Sequence, residues 1–414
     1  MSAWGSATTA RLEELTRTLL EAGLGGDAIT YRIAIAEGDD GAIVASLSDI
    51  AVGDATTPLV VDDVAVTWRP AGDRLYTATL TIPAVSVLND EGDTIASLTA
   101  GGGKLNLLVH IDTGLLKSGT MDATGVTVSL AGGATMVRID HLAASVIPEE
   151  TAPATWAGQA QLDLVGLAVT GDDGTAVALT RGRAAGWFRD IPATPVLGSL
   201  PEGASLRGEV ALEDLSAAGG SGLRAGMESS LLEFTVAGTG GDLGSIALRY
   251  SHEGLALEDA GLAPVVPRSL AGDVNLDAVP VADLVAAFDR PFASSLPEGA
   301  TLGLELDWTW PDGAGNASGR LASAPLAPVP ATGTVRFITG GMADLVENVI
   351  AAAHAGNRQA SHLVTYLALF RAMGRHDETQ AEPRLVHDIE LLPDNRILVN
   401  DNDINILLSL LGAD

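Results

Sequence analysis

The chain of 414 residues contains no cysteine. That excludes a disulfide framework, an iron–sulfur cluster and a thiolate zinc site. Bases are scarce: 23 Lys and Arg stand against 53 Asp and Glu, for a formal charge of −30. Only two of the bases are lysines, Lys104 and Lys117. A nucleic-acid partner is excluded on this balance, because binding it needs a basic surface to displace counterions. An anionic membrane surface is disfavoured on the same ground. There is also no uncharged apolar run of about 18 residues, so no helical transmembrane segment is expected. The start, MSAWGSATTARLEEL, lacks the basic-then-apolar order of a signal peptide. Aromatic residues are few, at 4%, yet the chain is 47% hydrophobic and has ample material for an aliphatic core.

What is present is repetition. Residues 271–288 (AGDVNLDAVPVADLVAAF) align without a gap on residues 332–349 (TGTVRFITGGMADLVENV). Gly272, Val274 and Leu276 fall on Gly333, Val335 and Phe337, and Asp283 and Leu284 on Asp344 and Leu345. Each copy reads as an alternating strand, a short turn and an amphipathic helical start. A second echo sets LPEGASLRGEVAL at 200–212 against LPEGATLGLELDW at 296–308. Such repeats indicate growth by duplication, with stacked units sharing a core.

The apolar period divides the rest of the chain. Leu12, Leu15, Leu19 and Leu20 form one helical stripe over 8–22, stopped by Gly23, Gly25 and Gly26. From Ile29 onward the period is two: Tyr31, Ile33, Ile35; Val64, Val66, Trp68; Leu105, Leu107, Val109. Polar turns at short spacing between such runs indicate antiparallel sheet. Pro148 to Pro153 and the Pro-rich stretch from Ile191 to Pro201 are expected breaks, and Pro325 to Pro330 a linker. In residues 302–310, Leu302, Leu304, Leu306, Trp308 and Trp310 share one strand face. Two helices are expected at 341–354 and 359–374, then a β-hairpin over 384–392 and 396–400 around Pro393-Asp394-Asn395. The closing INILLSLLG is expected to dock as a short helix. The expected fold is therefore mainly β (α+β): repeated antiparallel sheets forming an elongated body, an N-terminal helix, and a C-terminal helical hairpin plus β-hairpin. The expected divisions are 1–150, 151–330 and 331–414.

Tyr31, the Trp68-Arg69-Pro70 element and the stretch Leu392-Pro393-Asp394-Asn395-Arg396-Ile397-Leu398-Val399-Asn400 carry a resemblance. The chain resembles an alphaproteobacterial envelope family catalogued as domain of unknown function 2125. Where that family has glycine after Asp394 and Asn400, this chain has Asn395 and Asp401, two residue types that tolerate the left-handed backbone. The resemblance implies a periplasmic protein, with a signal peptide or anchor encoded upstream of Ser2; the alternative is a cytoplasmic one. It implies no catalytic residues. By analogy it brings in other β-rich envelope proteins that hold lipid in a groove.

Residues able to do chemistry form no working pattern. The seven histidines, His110, His141, His252, His354, His362, His376 and His387, show no zincin spacing. Gly220-Ser221-Gly222 lacks the strand–turn–helix setting of a nucleophile elbow. Gly101-Gly102-Gly103-Lys104 has the wrong spacing for a phosphate loop. The acid pairs Asp39/Asp40 and Asp172/Asp173, and Asp401-Asn402-Asp403, offer oxygens to calcium but lack the glycine- and glutamate-anchored loop of an EF-hand. No catalytic residue, metal ligand or cofactor is expected. The expected function is a non-enzymatic periplasmic or envelope protein binding lipid or another apolar ligand on the face of Leu302, Leu304, Leu306, Trp308 and Trp310. The alternative is a structural or protein-interaction scaffold whose sheets are fully packed; a hydrolase is the remote third.

Overall fold

The computed structural model describes residues 6–24, 29–38, 41–53, 58–131, 135–152, 154–171, 173–192, 201–219, 222–240, 243–258, 266–280, 298–324, 331–354, 358–377, 384–394 and 396–405. Among them the fold is mostly β, with three helices. The chain forms two compact units. One takes residues 1–150, 157–186 and 217–220; the other takes 151–156, 187–216 and 221–414.

The first unit opens with helix α1 (Ser6–Leu24). Its strands are β1 (Ile29–Glu37), β2 (Ile43–Val52), β3 (Leu59–Val61), β4 (Val64–Gly72), β5 (Leu75–Thr81), β6 (Val85–Leu88), β7 (Thr94–Thr99), β8 (Gly102–His110), β9 (Leu116–Leu130) and β10 (Thr135–Ala152). These strands pair antiparallel, and the sheet forks. On one edge β2 holds β4 through Ile43 to Leu47, and β3 through Ile50 to Val52. Two routes of three strands leave from there, β4–β5–β8 and β3–β6–β7. Both end on one edge of β9, β8 along Leu116 to Thr124 and β7 along Thr127 to Leu130. β1 flanks β2 and β10 flanks β9.

The leucine stripe of α1 behaves as its spacing dictates. Leu12 and Leu15 are buried against Ile43, Leu47, Ile50, Val66 and Trp68. Removing that much aliphatic surface from water is the main stabilising term for the unit. The stretch from Pro148 to Pro153 is expected as a loop or a boundary; no loop opens at Pro148, since β10 runs on to Ala152, while the opening segment of the first unit ends within the stretch, at Glu150. Pro148 lies beyond Val146–Gly119, the last pair between β10 and β9, so its missing N–H removes nothing from that ladder.

Three further strands are β11 (Thr155–Gly171), β12 (Ala176–Pro192) and β13 (Ser205–Ala218). In the second unit follow β14 (Arg224–Gly240), β15 (Leu243–Glu253), β16 (Ala256–Leu257), β17 (Ser269–Pro280), β18 (Thr301–Trp310), β19 (Gly313–Ser323) and β20 (Ala331–Gly340). Helices α2 (Met342–His354) and α3 (Arg358–Met373) come next, then β21 (Arg375–Asp377), β22 (Arg384–Leu391), β23 (Ile397–Val399) and β24 (Asn402–Asp403). The sheet is an antiparallel meander, β14–β15–β17–β18–β19–β20–β22, with β21 and β23 sharing the far edge of β22. The expected helix pair and closing hairpin are thus present. Met342, Leu345, Val346 and Val349 form the buried stripe of α2.

The repeats have structural counterparts. The aligned residues Gly272 and Gly333 both lie in strands, β17 and β20. A side chain at Gly272 would come 2.3 Å from the Leu306 Cδ2, and one at Gly333 2.1 Å from the Arg320 carbonyl oxygen. In the second echo, Gly203 and Gly299 both have positive φ, 86° and 81°. The next residues, Ala204 and Ala300, are both fully buried. Each offers its carbonyl to a strand amide at 2.9 Å, Gly238 for Ala204 and Ser323 for Ala300. The helical half of the 271–288 copy, with Asp283 and Leu284, lies outside the described residues, as do the 325–330 linker and most of the closing INILLSLLG.

Candidate functional site: an apolar groove beneath the helix pair

Alternation on β18 turns Trp308 and Trp310 to the face that α2 and α3 cover, while Glu305, Asp307 and Thr309 are exposed. The indoles lie over the neighbouring strand because that strand offers glycine. Trp310 pairs with Gly313 and Trp308 with Gly315. A Cβ at Gly313 would sit 2.2 Å from the Trp310 Nε1, and one at Gly315 2.6 Å from the Trp308 Cε2. Side chains at either position would lift the rings off the sheet. The two rings stand 6.3 Å apart at an angle of 34°.

Beside them opens a groove of about 660 Å³. Its floor comes from Leu270, Trp308, Trp310, Phe337 and Thr339, and its wall from Met342 and Leu345 of α2 and from Leu363, Leu367, Phe370 and Met373 of α3. Tyr366 stands on its exposed side. Among the described residues no charged side chain lines it. Phe370 closes one part by meeting Phe337 edge-on at 6.1 Å and stacking on His387 at 3.7 Å.

His387 is fully buried. Its Nε2 lies 2.7 Å from the Phe370 carbonyl oxygen, so this nitrogen carries the proton and donates it. Burial holds the imidazole pKa below its ordinary 6.5, against the opposing pull of that carbonyl and of Asp388. The histidine is therefore a neutral prop beneath Phe370.

Of the five side chains expected to form a ligand face, two line the groove, Trp308 and Trp310. The others diverge from it. Leu306 leans over Gly272, Leu302 pairs between Leu276 and Leu321, and Leu304 borders a polar cleft of about 760 Å³. That cleft follows a row of charge across the sheet. Arg207 meets Glu233 at 2.9 Å, Glu233 meets Arg249 at 3.7 Å, and Arg249 meets Asp273 at 2.8 Å. These charges neutralise one another at the surface, where each pair contributes little.

Sequence reading missed Thr339, Leu270 and Tyr366. Leu270 had a signal, since it alternates with Gly272, Val274 and Leu276 and pairs with Trp308. Thr339 had a fainter one: it is a polar residue on the inward face that Val335 and Phe337 define.

The other candidates have local duties. The Gly101 amide donates to the Thr124 carbonyl at 2.9 Å, and Gly102 and Gly103 pair within the sheet. His252 contacts the Pro267 carbonyl at 3.2 Å, and His141 meets Asp122 at 2.9 Å. Asp173 caps the Thr175 amide at 2.8 Å, and that bond holds its pKa below the usual carboxylate range. Asn400 and Asp401 both take positive φ, 49° and 69°, the left-handed backbone that their residue types tolerate. Asp39, Asp40, Asp172, Gly220, Ser221 and Asn395 lie outside the described residues, and nothing is described of the His362 side chain. Among the described residues no group of three His, Asp or Glu gathers as a metal site, and no helix is long and apolar enough to cross a membrane.

No protein-family model, no curated protein and no solved structure matches this chain.

Proposed function

We propose that this is a non-enzymatic protein of the periplasm or envelope that holds one apolar, chain-like ligand of the lipid class beneath α2 and α3. The observation that supports this reading is the groove itself. Its volume lies within the roughly 300–1,000 Å³ typical of small-molecule sites, and its lining is aliphatic and aromatic. An uncovered surface of that kind is unfavourable in water, and an acyl chain has the matching chemistry. The envelope location rests on the family resemblance carried by Tyr31, Trp68-Arg69-Pro70 and the segment 392–400.

The alternative, a scaffold with filled sheet faces, draws its support from the first unit. There α1 itself supplies the cover, with Leu12 and Leu15 buried on the sheet. One measurement separates the readings. Protein purified without detergent is extracted with organic solvent, and the extract is analysed by mass spectrometry. Lipid in stoichiometric amount favours the binding protein. A clean extract, together with failure to take up a fluorescent acyl probe, leaves the scaffold.

A further inference from the structure

The face of β18 that carries Asp307 and Thr309, turned away from α2 and α3, borders a second cavity, of about 340 Å³. Directly opposed residues of neighbouring strands share a face. The register therefore sets Ser269, Thr309, Ala314, Gly340 and Arg384 in one row from β17 to β22. The row beside it carries Ala271, Asp307 and Asn316. The hollow follows from side-chain size. Between Thr309 and Arg384 the first row offers one methyl group, at Ala314, and nothing at Gly340. Strands lie about 4.8 Å apart, so three spacings put β18 and β22 roughly 14 Å from each other with nothing tall between them. Arg384 crosses part of that gap, for its Cγ lies 3.8 Å from the point where a Cβ at Gly340 would sit.

Three exposed charges line this cavity: Arg384 on one side, Asp307 and Glu253 on the other. Among the described residues none of the three has an ion pair or a side-chain hydrogen bond. Elsewhere on the same sheet such groups find each other, Arg249 and Asp273 at 2.8 Å and Arg375 and Asp388 at 2.9 Å. In a chain with 53 acids and 23 bases, a guanidinium that shares a cavity with two carboxylates and touches neither is an open pair. The hydroxyls of Ser269 and Thr309, 2.6 Å apart, add polar contacts at the acidic side.

We infer that this cavity binds a small zwitterion, an ammonium joined to a carboxylate as in an α-amino acid, with the carboxylate on Arg384 and the ammonium at Asp307 and Glu253. The guanidinium presents a planar fork of donors that matches a carboxylate. An ammonium has three donors and no acceptor, and the two carboxylates and the hydroxyls accept them. A lone anion would meet Arg384 but also the repulsion of two acids. A lone cation would leave Arg384 unpaired and be repelled by it. A phosphate in place of the carboxylate would bring a second negative charge toward Asp307 and Glu253, with one guanidinium to balance it. Ala271, Ala314 and Ile338 leave room for a modest apolar side chain. The site lies on the other face of the sheet from the apolar groove and stands apart from the reading of that groove.

The test uses the full-length protein at neutral pH and low salt, with four probes titrated by saturation-transfer NMR. L-leucine carries both charges. 4-Methylpentanoate keeps its chain and carboxylate but lacks the ammonium; 3-methylbutylamine keeps the ammonium and lacks the carboxylate. O-Phosphoethanolamine is a zwitterion with a phosphate. Leucine is expected to bind on the order of ten-fold tighter than any of the others. Arg384→Gln and Asp307→Asn should each reduce leucine to the level of the singly charged probes. Both residues are exposed and unpaired, so neither substitution should move the unfolding midpoint or the uptake of a fluorescent acyl probe. Leucine bound no tighter than 4-methylpentanoate overturns the ammonium contact, and leucine bound no tighter than 3-methylbutylamine overturns the contact with Arg384. Tightest binding of O-phosphoethanolamine overturns the carboxylate. Leucine binding that survives both substitutions overturns this cavity as its place, and binding of none of the four overturns the site.

Discussion

Trp68 donates its indole N–H to the hydroxyl of Thr16, 2.9 Å away and 52 positions earlier in the chain. Thr16 passes its own hydroxyl proton to the Leu12 carbonyl at 2.8 Å. Both side chains are buried, so this relay fixes α1 on the sheet at a single register. Thr16→Val leaves the indole unpaired and should cost about 1–3 kcal/mol. Thr16→Ser should recover most of it. Urea unfolding of the two variants measures this, and a Thr16→Val midpoint equal to that of the unsubstituted protein would show the bond to be idle.

Gly315→Ala places a methyl group where the Trp308 ring lies. Overpacking of this sort costs about 1–3 kcal/mol. The near-ultraviolet circular dichroism of the tryptophans should change together with the midpoint. Stability lost with an unchanged spectrum would mean that the indole does not move.

Leu345 is buried between α2 and the indoles. Leu345→Ala should cost roughly 2–5 kcal/mol through lost burial and the cavity left behind. Thermal unfolding gives the answer, and a loss below 1 kcal/mol would indicate that α2 settles to fill the space.

His387 sets a pH dependence. Its folded pKa is depressed because burial penalises the imidazolium. As pH falls below the ordinary value of 6.5, the unfolded chain takes up a proton that the folded chain refuses. This contribution to stability is therefore full above 6.5 and declines beneath it. His387→Gln should flatten the profile between pH 7 and the folded pKa, as read from midpoints across that range. A profile unaltered by the substitution would place the titration elsewhere.

Trp308→Ala removes one side of the groove without burying a new charge. Lipid recovered in the organic extract should fall at least several-fold, while an Arg69→Ala variant on the exposed end of β4 retains it. Equal recovery from both would locate the lipid away from β18.

The strands were legible because burial on one face leaves a period of two, and β18 displays it over ten residues from Thr301 to Trp310. The helix pair was legible from its leucine and methionine stripes. The echoed LPEGA segments announced a shared turn, and Gly203 and Gly299 take nearly the same φ. The groove was not legible as such. Alternation says which side chains leave the water, but not whether protein or ligand covers them. Leu302, Leu304 and Leu306 share the face of Trp308 and Trp310, yet the groove begins only where glycines on β19 give the larger rings room to lie down. Pro148 misled for a related reason: whether a proline ends a strand depends on where its neighbour stops pairing, and that neighbour is distant in sequence.

The forked sheet of the first unit has a mechanical consequence. Strands β2 and β9 are joined by two separate chains of hydrogen-bonded strands, so the load between them is carried in parallel. Cutting either branch leaves the other intact, and separating β2 from β9 requires both to fail together. In native-state hydrogen exchange, the amides of β3, β6 and β7 should then open in events that leave β4, β5 and β8 protected. The innermost amides of β2 and β9 should exchange only when the whole unit unfolds.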